Sequence, residues 1–363
     1  AEQLDATPWS PFEAADARAA IEAGVGEMIA YFDEHPQAIR DMWEDAVAAL
    51  IEVTYSSDNP PGLDARIRQA AQENLDALVE PYLAEDPDSA DCTELEQVMP
   101  LAIYASKFYA PQDARTAMML RTVNAAMRDC GTLGRLLTLD DPTDLANAAL
   151  DDERVFDLVI WSLLFIEGEV TPGLEPLPQM RDFPRVLWDF LRTYPLRNAS
   201  TYEDGAEDDA FIEAAYLATH IAYVPTGNHR FPLYIADSPA LYRFHRENFY
   251  PVLEMGELDL VAEFVDSLRQ YGCTEANDRQ VLDGTRYLLQ VFHDGDGSWM
   301  AYREPGETDA DVDSYDLIHK VWTGVLGVRP RTIEQPLAGT YGGLVRTWLP
   351  APVATDVPAM AWR

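Results

Sequence analysis

The chain has 363 residues, of which 47% are hydrophobic, and it carries 13 Phe, 8 Trp and 17 Tyr, so a sizeable core is available and general disorder is excluded. A formal net charge of −37, from 63 acidic and 26 basic residues, repels phosphate backbones and anionic lipid, which excludes nucleic-acid binding as a function. No apolar run approaches the ~18–20 residues of a membrane-spanning helix, so no membrane insertion is expected.

Nearly every segment reads as helix. Apolar periodicity of the helical kind recurs at 12–33, 37–56, 62–83, 93–109, 112–137, 143–167, 178–194, 208–224, 239–271, 276–293 and 313–326. Punctuation falls between these stretches, at Asn59-Pro60-Pro61-Gly62, Glu85-Asp86-Pro87-Asp88, Pro111, Asp140-Asp141-Pro142, Pro172-Gly173 and Pro195. Period-two alternation is scarce, so little sheet is expected. In the first part of the chain, Ala15–Phe32 and Leu63–Val79 have acidic outer faces. The acidic stretch Tyr202–Asp209 is the one place where 1–330 could be subdivided. After Arg329 the composition turns to Pro, Gly and Trp, which predicts an extended tail over 331–363 packed on the helices.

Cys92 precedes one predicted helix and Cys130 ends the next, so an antiparallel hairpin brings them within disulfide reach; three buried free thiols are the alternative. The chain begins Ala1-Glu2, as after removal of a signal peptide or trimming. Only Lys107 and Lys320 are lysines, and such an acidic surface suits either an extracellular protein or adaptation to high salt. The expected location is secreted or periplasmic, with the cytoplasm of a high-salt-adapted cell as the alternative.

Chemistry-bearing residues concentrate between Phe211 and Leu326. Glu213, Tyr216, His220 and Tyr223 fall on one line of a helix, as do Asp283, Arg286, Gln290 and His293 on another. Asp316, His319 and Thr323 mark a third, with Lys320 beside them. The remaining faces of the first two are mostly apolar, which suits inner helices whose polar seams line a wet cavity. Leu258, Val261, Ala262, Val265 and Leu268 form a one-sided stripe, the pattern of an outer helix. The fold class this predicts is mainly α, an α/α barrel (toroid) of about 11–12 helices around a polar cavity.

Gly284-Thr-Arg-Tyr-Leu-Leu-Gln290 followed by Gly295-Asp-Gly-Ser-Trp299 resembles the glutamine–tryptophan repeat of terpenoid-cyclase α/α toroids. The resemblance covers 284–299 in a single copy and implies the toroid fold, with the glutamine and tryptophan tying neighbouring helices together. The class II cyclase acid motif is absent. Asp140-Asp141-Pro142-Thr143-Asp144 matches the diphosphate-binding pattern of other terpene enzymes, but its proline and its place between helices read as a cap.

Two chemistries fit these residues, both on a small-molecule substrate. In the first, His220, His293 and His319, with His245 as substitute, hold a transition metal (Cu, Zn or Fe), Glu213 or Asp316 orients a ligand, and Tyr216 or Tyr223 exchanges protons. In the second, a metal-free lyase, isomerase or cyclase binds an anionic or terpenoid-like substrate. There Arg286, Gln290 and the Asn228-His229-Arg230 loop contact the substrate while a Tyr–His pair moves protons. A non-catalytic ligand-binding protein is the third possibility. Asp294-Gly-Asp296-Gly-Ser298 departs from a calcium loop at Trp299 and Pro305 and reads as a turn. No HExxH, CxxC, GxSxG or phosphate-binding glycine loop is present. The metal reading predicts a stoichiometric ion, measured by elemental analysis, that is lost in each of His220→Ala, His293→Ala and His319→Ala; metal-free protein that remains active refutes it.

Overall fold

The structure is a computed structural model that describes residues 7–55, 59–227, 230–303, 307–308, 312–329 and 341–347, without the side chains of 341 and 342. The described residues contain 15 α-helices, short 3-10 turns and no strand. The helices are α1 Pro11–Glu34, α2 Pro36–Met42, α3 Asp45–Ile51, α4 Leu63–Val79, α5 Leu95–Phe108, α6 Ala114–Cys130, α7 Leu133–Leu137, α8 Asp152–Glu169, α9 Phe183–Leu191, α10 Asp209–Thr226, α11 Pro239–Met255, α12 Leu258–Gln270, α13 Arg279–Asp294, α14 Ser314–Val328 and α15 Tyr341–Val345. None is long and apolar enough to cross a membrane.

Helix starts follow local chemistry. Ser10 and Glu13 form a reciprocal capping box at α1, and Asp313 and Asp316 do the same at α14. Asp208, Asp278 and Asp151 cap α10, α13 and α8 through side-chain carboxylates, which suit the positive end of the helix dipole. Asp141 accepts the Thr143 amide at 2.9 Å, so the Asp140–Asp144 stretch is a turn.

Several stretches that read as one helix are broken where the backbone enters the left-handed region. The 37–56 stretch divides at Trp43 (φ 53°), 112–137 at Gly131 (φ 70°) and 239–271 at Gly256 (φ 85°). Apolar periodicity runs through such a break without registering it, because each piece has its own apolar face. At Gly256 the consequence is large, since it releases α12 from the direction of α11.

α12 is the central helix. It packs against α10, α11, α13 and α14, and every residue from Leu260 to Gln270 is buried. Its one-sided stripe predicted an outer helix, and the structure corrects this: the polar positions opposite the stripe face other protein groups rather than solvent. The α13 expectation is corrected in the opposite sense. Two residues of its seam turn toward α1, where Arg286 donates to Glu13 at 2.7 Å and His293 lies 2.7 Å from Asp16, while Asp283 accepts from Tyr250 of α11 at 3.2 Å and Gln290 is exposed. The apolar face of α13 instead covers α12 and α14.

Close helix approaches hold this arrangement. A Cβ at Gly284 of α13 would lie 2.3 Å from Val265, and one at Gly327 of α14 would lie 2.4 Å from Leu288. Trp299 is fully buried and donates its indole N–H to the Leu288 carbonyl at 2.9 Å. Its ring fills the space between Gly24 of α1 and Gly324 of α14, where an added Cβ would come within 3.0 and 2.7 Å of it. Trp299 therefore joins α1, α13 and α14, while Gln290 is exposed.

Cys92 and Cys130 form a disulfide between the approach to α5 and the end of α6, and Cys273 is a buried free thiol. Closing 38 residues contributes about 3–4 kcal/mol on chain-entropy grounds. The tail prediction falls largely outside the described residues. Its described part, α15, is a short helix rather than extended chain, and it packs on α8 and α10. Trp299→Ala removes a fully buried ring and its hydrogen bond, and is expected to cost about 3–5 kcal/mol in equilibrium denaturation.

Candidate active site

A cavity of about 340 Å³ is bounded by α3, α5, α8, α10, α12 and α14, together with Glu52, Tyr55 and Arg230. α10 contributes His220 and Tyr223, and α14 contributes Tyr315, His319 and Trp322. α12 contributes Glu263 and Asp266, α3 Asp45 with Glu44 just before it, and α5 Tyr104 and Lys107. α8 supplies Glu167 and an apolar wall of Phe156, Ile160, Leu163 and Leu164.

Glu263 lies at the centre of the polar wall. Its Oε2 accepts the Thr219 hydroxyl and is 3.9 Å from His220 Nδ1, while its Oε1 is 3.9 Å from His319 Nε2. Behind His319, Asp259 stands 3.3 Å from Nδ1 and accepts the Tyr216 hydroxyl at 2.6 Å. Tyr315 stacks on the His319 ring at 5.2 Å between centroids, and Trp322 meets its edge. The imidazole of His319 is thus held by a ring stacked on it, a ring in edge contact with it and a carboxylate on its Nδ1 side.

These neighbours move the proton affinities in opposite directions. Burial pushes the Glu263 carboxyl up to about 8, against the pull of His319 and Thr219. Burial pushes His220 down to about 4, against the hydrogen bond from its Nδ1 to the Tyr216 carbonyl at 2.8 Å. That bond places the proton on Nδ1 and leaves a lone pair on Nε2, which has no hydrogen-bond partner among the described residues. For His319 burial acts downward, but contact with Asp259 and the fields of Glu263 and Asp45 outweigh it and raise its pKa. Desolvation likewise pushes Glu44 and Glu52 up to about 7, and Asp45 and Asp266 up to about 6.

The cavity lining also carries an ion triad. Lys107 lies 2.8 Å from Glu167, which also accepts from Arg230, and Arg230 sits over the Tyr55 ring at 4.9 Å. Burial alone would raise Glu167, but the two cations outweigh it and hold its carboxyl low.

The structure brings some of the predicted site residues together. His220, His319, Tyr223 and Arg230 share the cavity. His293 does not: it sits half-exposed on the α1 side, paired with Asp16, so the three histidines do not converge. His245 is fully buried away from the cavity, bonded through Nδ1 to the Leu241 carbonyl and packed edge-on to Phe264. Among the described residues no group of three or more His, Cys, Asp or Glu side chains is placed to hold a metal ion. Glu213 and Gln290 are exposed, Arg286 belongs to the α1–α13 contact, and Asp316 is part of the α14 cap. Tyr216 supports Asp259 rather than lining the cavity. Asn228 and His229 lie outside the described residues.

Sequence reasoning missed Glu263, Asp266, Asp259, Glu44, Asp45 and Glu52. A signal for the first three was present: carboxylates at 259, 263 and 266 fall on one face of a helix otherwise rich in apolar residues. The chain matches no family model, no curated protein and no solved structure.

Glu263 also leaves a thermodynamic signature. Its folded pKa of about 8 exceeds the ordinary 4.5, so the folded state binds the proton more tightly than the unfolded chain. The associated stability is complete below about pH 4.5 and is lost as pH rises through about 8. Glu263→Gln keeps the shape and the Thr219 hydrogen bond but cannot ionise. It is expected to melt a few °C above the parent at about pH 9 and much closer to it at about pH 5, in thermal melts at both pH values.

Proposed function

We propose that this chain is an acid–base enzyme, a metal-free lyase or isomerase acting on a small molecule in this cavity. The observation that carries the reading is Glu263, a buried carboxyl pushed up to about 8, flanked at 3.9 Å by each of two histidines of which one, His220, is pushed down to about 4. Paired groups whose surroundings drive their pKa values apart supply an acid and a base at the same pH.

Near neutral pH, His220 is uncharged and its Nε2 lone pair can take a proton from a substrate carbon. Glu263 is protonated and can give its proton to the departing or developing oxygen. His319, whose proton affinity Asp259 raises against burial, stabilises in its protonated form the negative charge that grows on that oxygen. In a lyase the C–H and C–O bonds break and a double bond forms; in an isomerase the proton on His220 returns at a neighbouring carbon. The apolar α8 wall keeps the reacting atoms away from bulk water.

The fold reading belongs with this proposal. α3, α5, α8, α10, α12 and α14 reach the cavity, while α4, α6, α9, α11, α13 and α1 pack behind them. This alternation supports an α/α barrel with an inner and an outer ring, with α13 in the outer one.

The test is turnover on a panel of small hydroxy and keto compounds. Active protein is expected to show a bell-shaped kcat/KM, falling as pH drops through about 4 and as it rises through about 8. Glu263→Gln and His220→Ala are each expected to lower kcat/KM by roughly 10²–10⁴-fold, with His293→Ala unchanged. Tight ligand binding without turnover at any pH would identify a binding protein instead.

A further inference from the structure

Resting on the acid–base reading of the same cavity, we infer that its substrate carries a positive charge, an amine or quaternary ammonium seated against the α3 wall between Glu44, Asp45 and the rings of Tyr104 and Tyr315. The first support is charge. The cavity's fixed cations, Lys107 and Arg230, are both engaged by Glu167, so they do not neutralise the carboxyls of α3 and α12. Glu44 has acidic neighbours, Asp45 and Glu96, and the attraction on Asp45 comes from His319.

The second support is an unmet acceptor. Glu263 is 6% exposed, and its Oε1 faces His319 at 3.9 Å without a hydrogen bond. Buried carboxyls beside one another are costly to ionise in the empty cavity, and a ligand cation at Glu44 and Asp45 offsets that cost directly. An anionic ligand would add to the repulsion.

The third support is the chemistry of the walls. Tyr104 and Tyr315 line the same cavity as Glu44 and Asp45, and their hydroxyl pKa values are raised by burial first and by the charge of Asp45 in addition, so aromatic rings and carboxylates lie together. Aromatic faces attract cations and favour ammonium groups of low hydration. A volume of about 340 Å³ is at the small end for ligand pockets and suits a compact organic cation.

Arg230 and Arg286, the residues that suggested an anionic substrate, are paired with Glu167 and with Glu13. The probes that test the proposal are choline, its uncharged isostere 3,3-dimethylbutan-1-ol, putrescine and succinate. Each is titrated calorimetrically into the full chain at about pH 8 and low salt. Choline or putrescine is expected to bind, with the isostere at least about tenfold weaker and succinate silent. Asp45→Asn and Glu44→Gln, checked for native circular dichroism, are each expected to weaken the cation by at least about fivefold. Equal binding of choline and its isostere, binding of succinate alone, or no binding of either cation would overturn the inference. Binding does not require turnover, so cation binding that persists in an inactive Glu263→Gln variant upholds the substrate class and the catalytic role together. Cation binding by a parent protein that never turns over upholds the class and refutes the acid–base reading alone.

Discussion

The burial of α12 from Leu260 to Gln270 is the constraint on which the rest of the molecule depends. A helix surrounded by α10, α11, α13 and α14 has no solvent face, so each of its polar side chains must be satisfied inside the protein. Arg269 answers this by donating to the carbonyls of Gly327 and Arg329 and to Glu275 and Thr285, which fixes the end of α14 against α12 and α13. Arg329, fully buried, donates to the Glu52 carbonyl and lies 3.7 Å from Asp266. One end of α12 is therefore neutralised by arginines, and that end is structural.

The other end is treated differently. Asp259 and Glu263 meet histidines and hydroxyls instead of arginines, so their charge is only partly compensated. Arginine in these places would lock both carboxylates in the ionised form, because guanidinium does not release its proton in proteins. Imidazole leaves the proton free to redistribute. The same helix thus carries an arginine-bound network at one end and a histidine-bound one at the other, and the cavity is lined by Glu263 and Asp266 from both.

Burial of acidic groups next to one another runs against the stability of the empty protein, and the surroundings absorb that cost by packing. Gly284, Gly324 and Gly327 let α13 and α14 approach so closely that a methyl group would not fit, and Trp299 fills the space that remains. Tight packing around α12 is what keeps water from relaxing the carboxyl pKa values toward their ordinary range. Proton affinity at the cavity and helix packing behind it are consequences of the same exclusion of water.

By itself, the sequence determined the helical class, most helix boundaries and the caps, because apolar periodicity and the Ser, Asp and Pro signals at helix starts are local. It also offered the Cys92–Cys130 pairing, with free thiols as the alternative, since a hairpin between adjacent helices needs no distant contact, and it singled out His220 and His319 together with His293. Only the tertiary structure decided which helices face the cavity. A seam such as Asp283–His293 has the same periodicity whether it lines a cavity or meets α1, and α12 has the same stripe whether its polar side faces water or His319. The partner across the gap sets the meaning of a polar face, and that partner is far away in the chain: Glu13 for Arg286, Asp16 for His293, and His319 for Asp259. The acidic wall of Glu44, Asp45 and Glu52 was invisible for the same reason. Its carboxyls look like those of any solvated helix until α5, α12 and α14 close over them and remove the water.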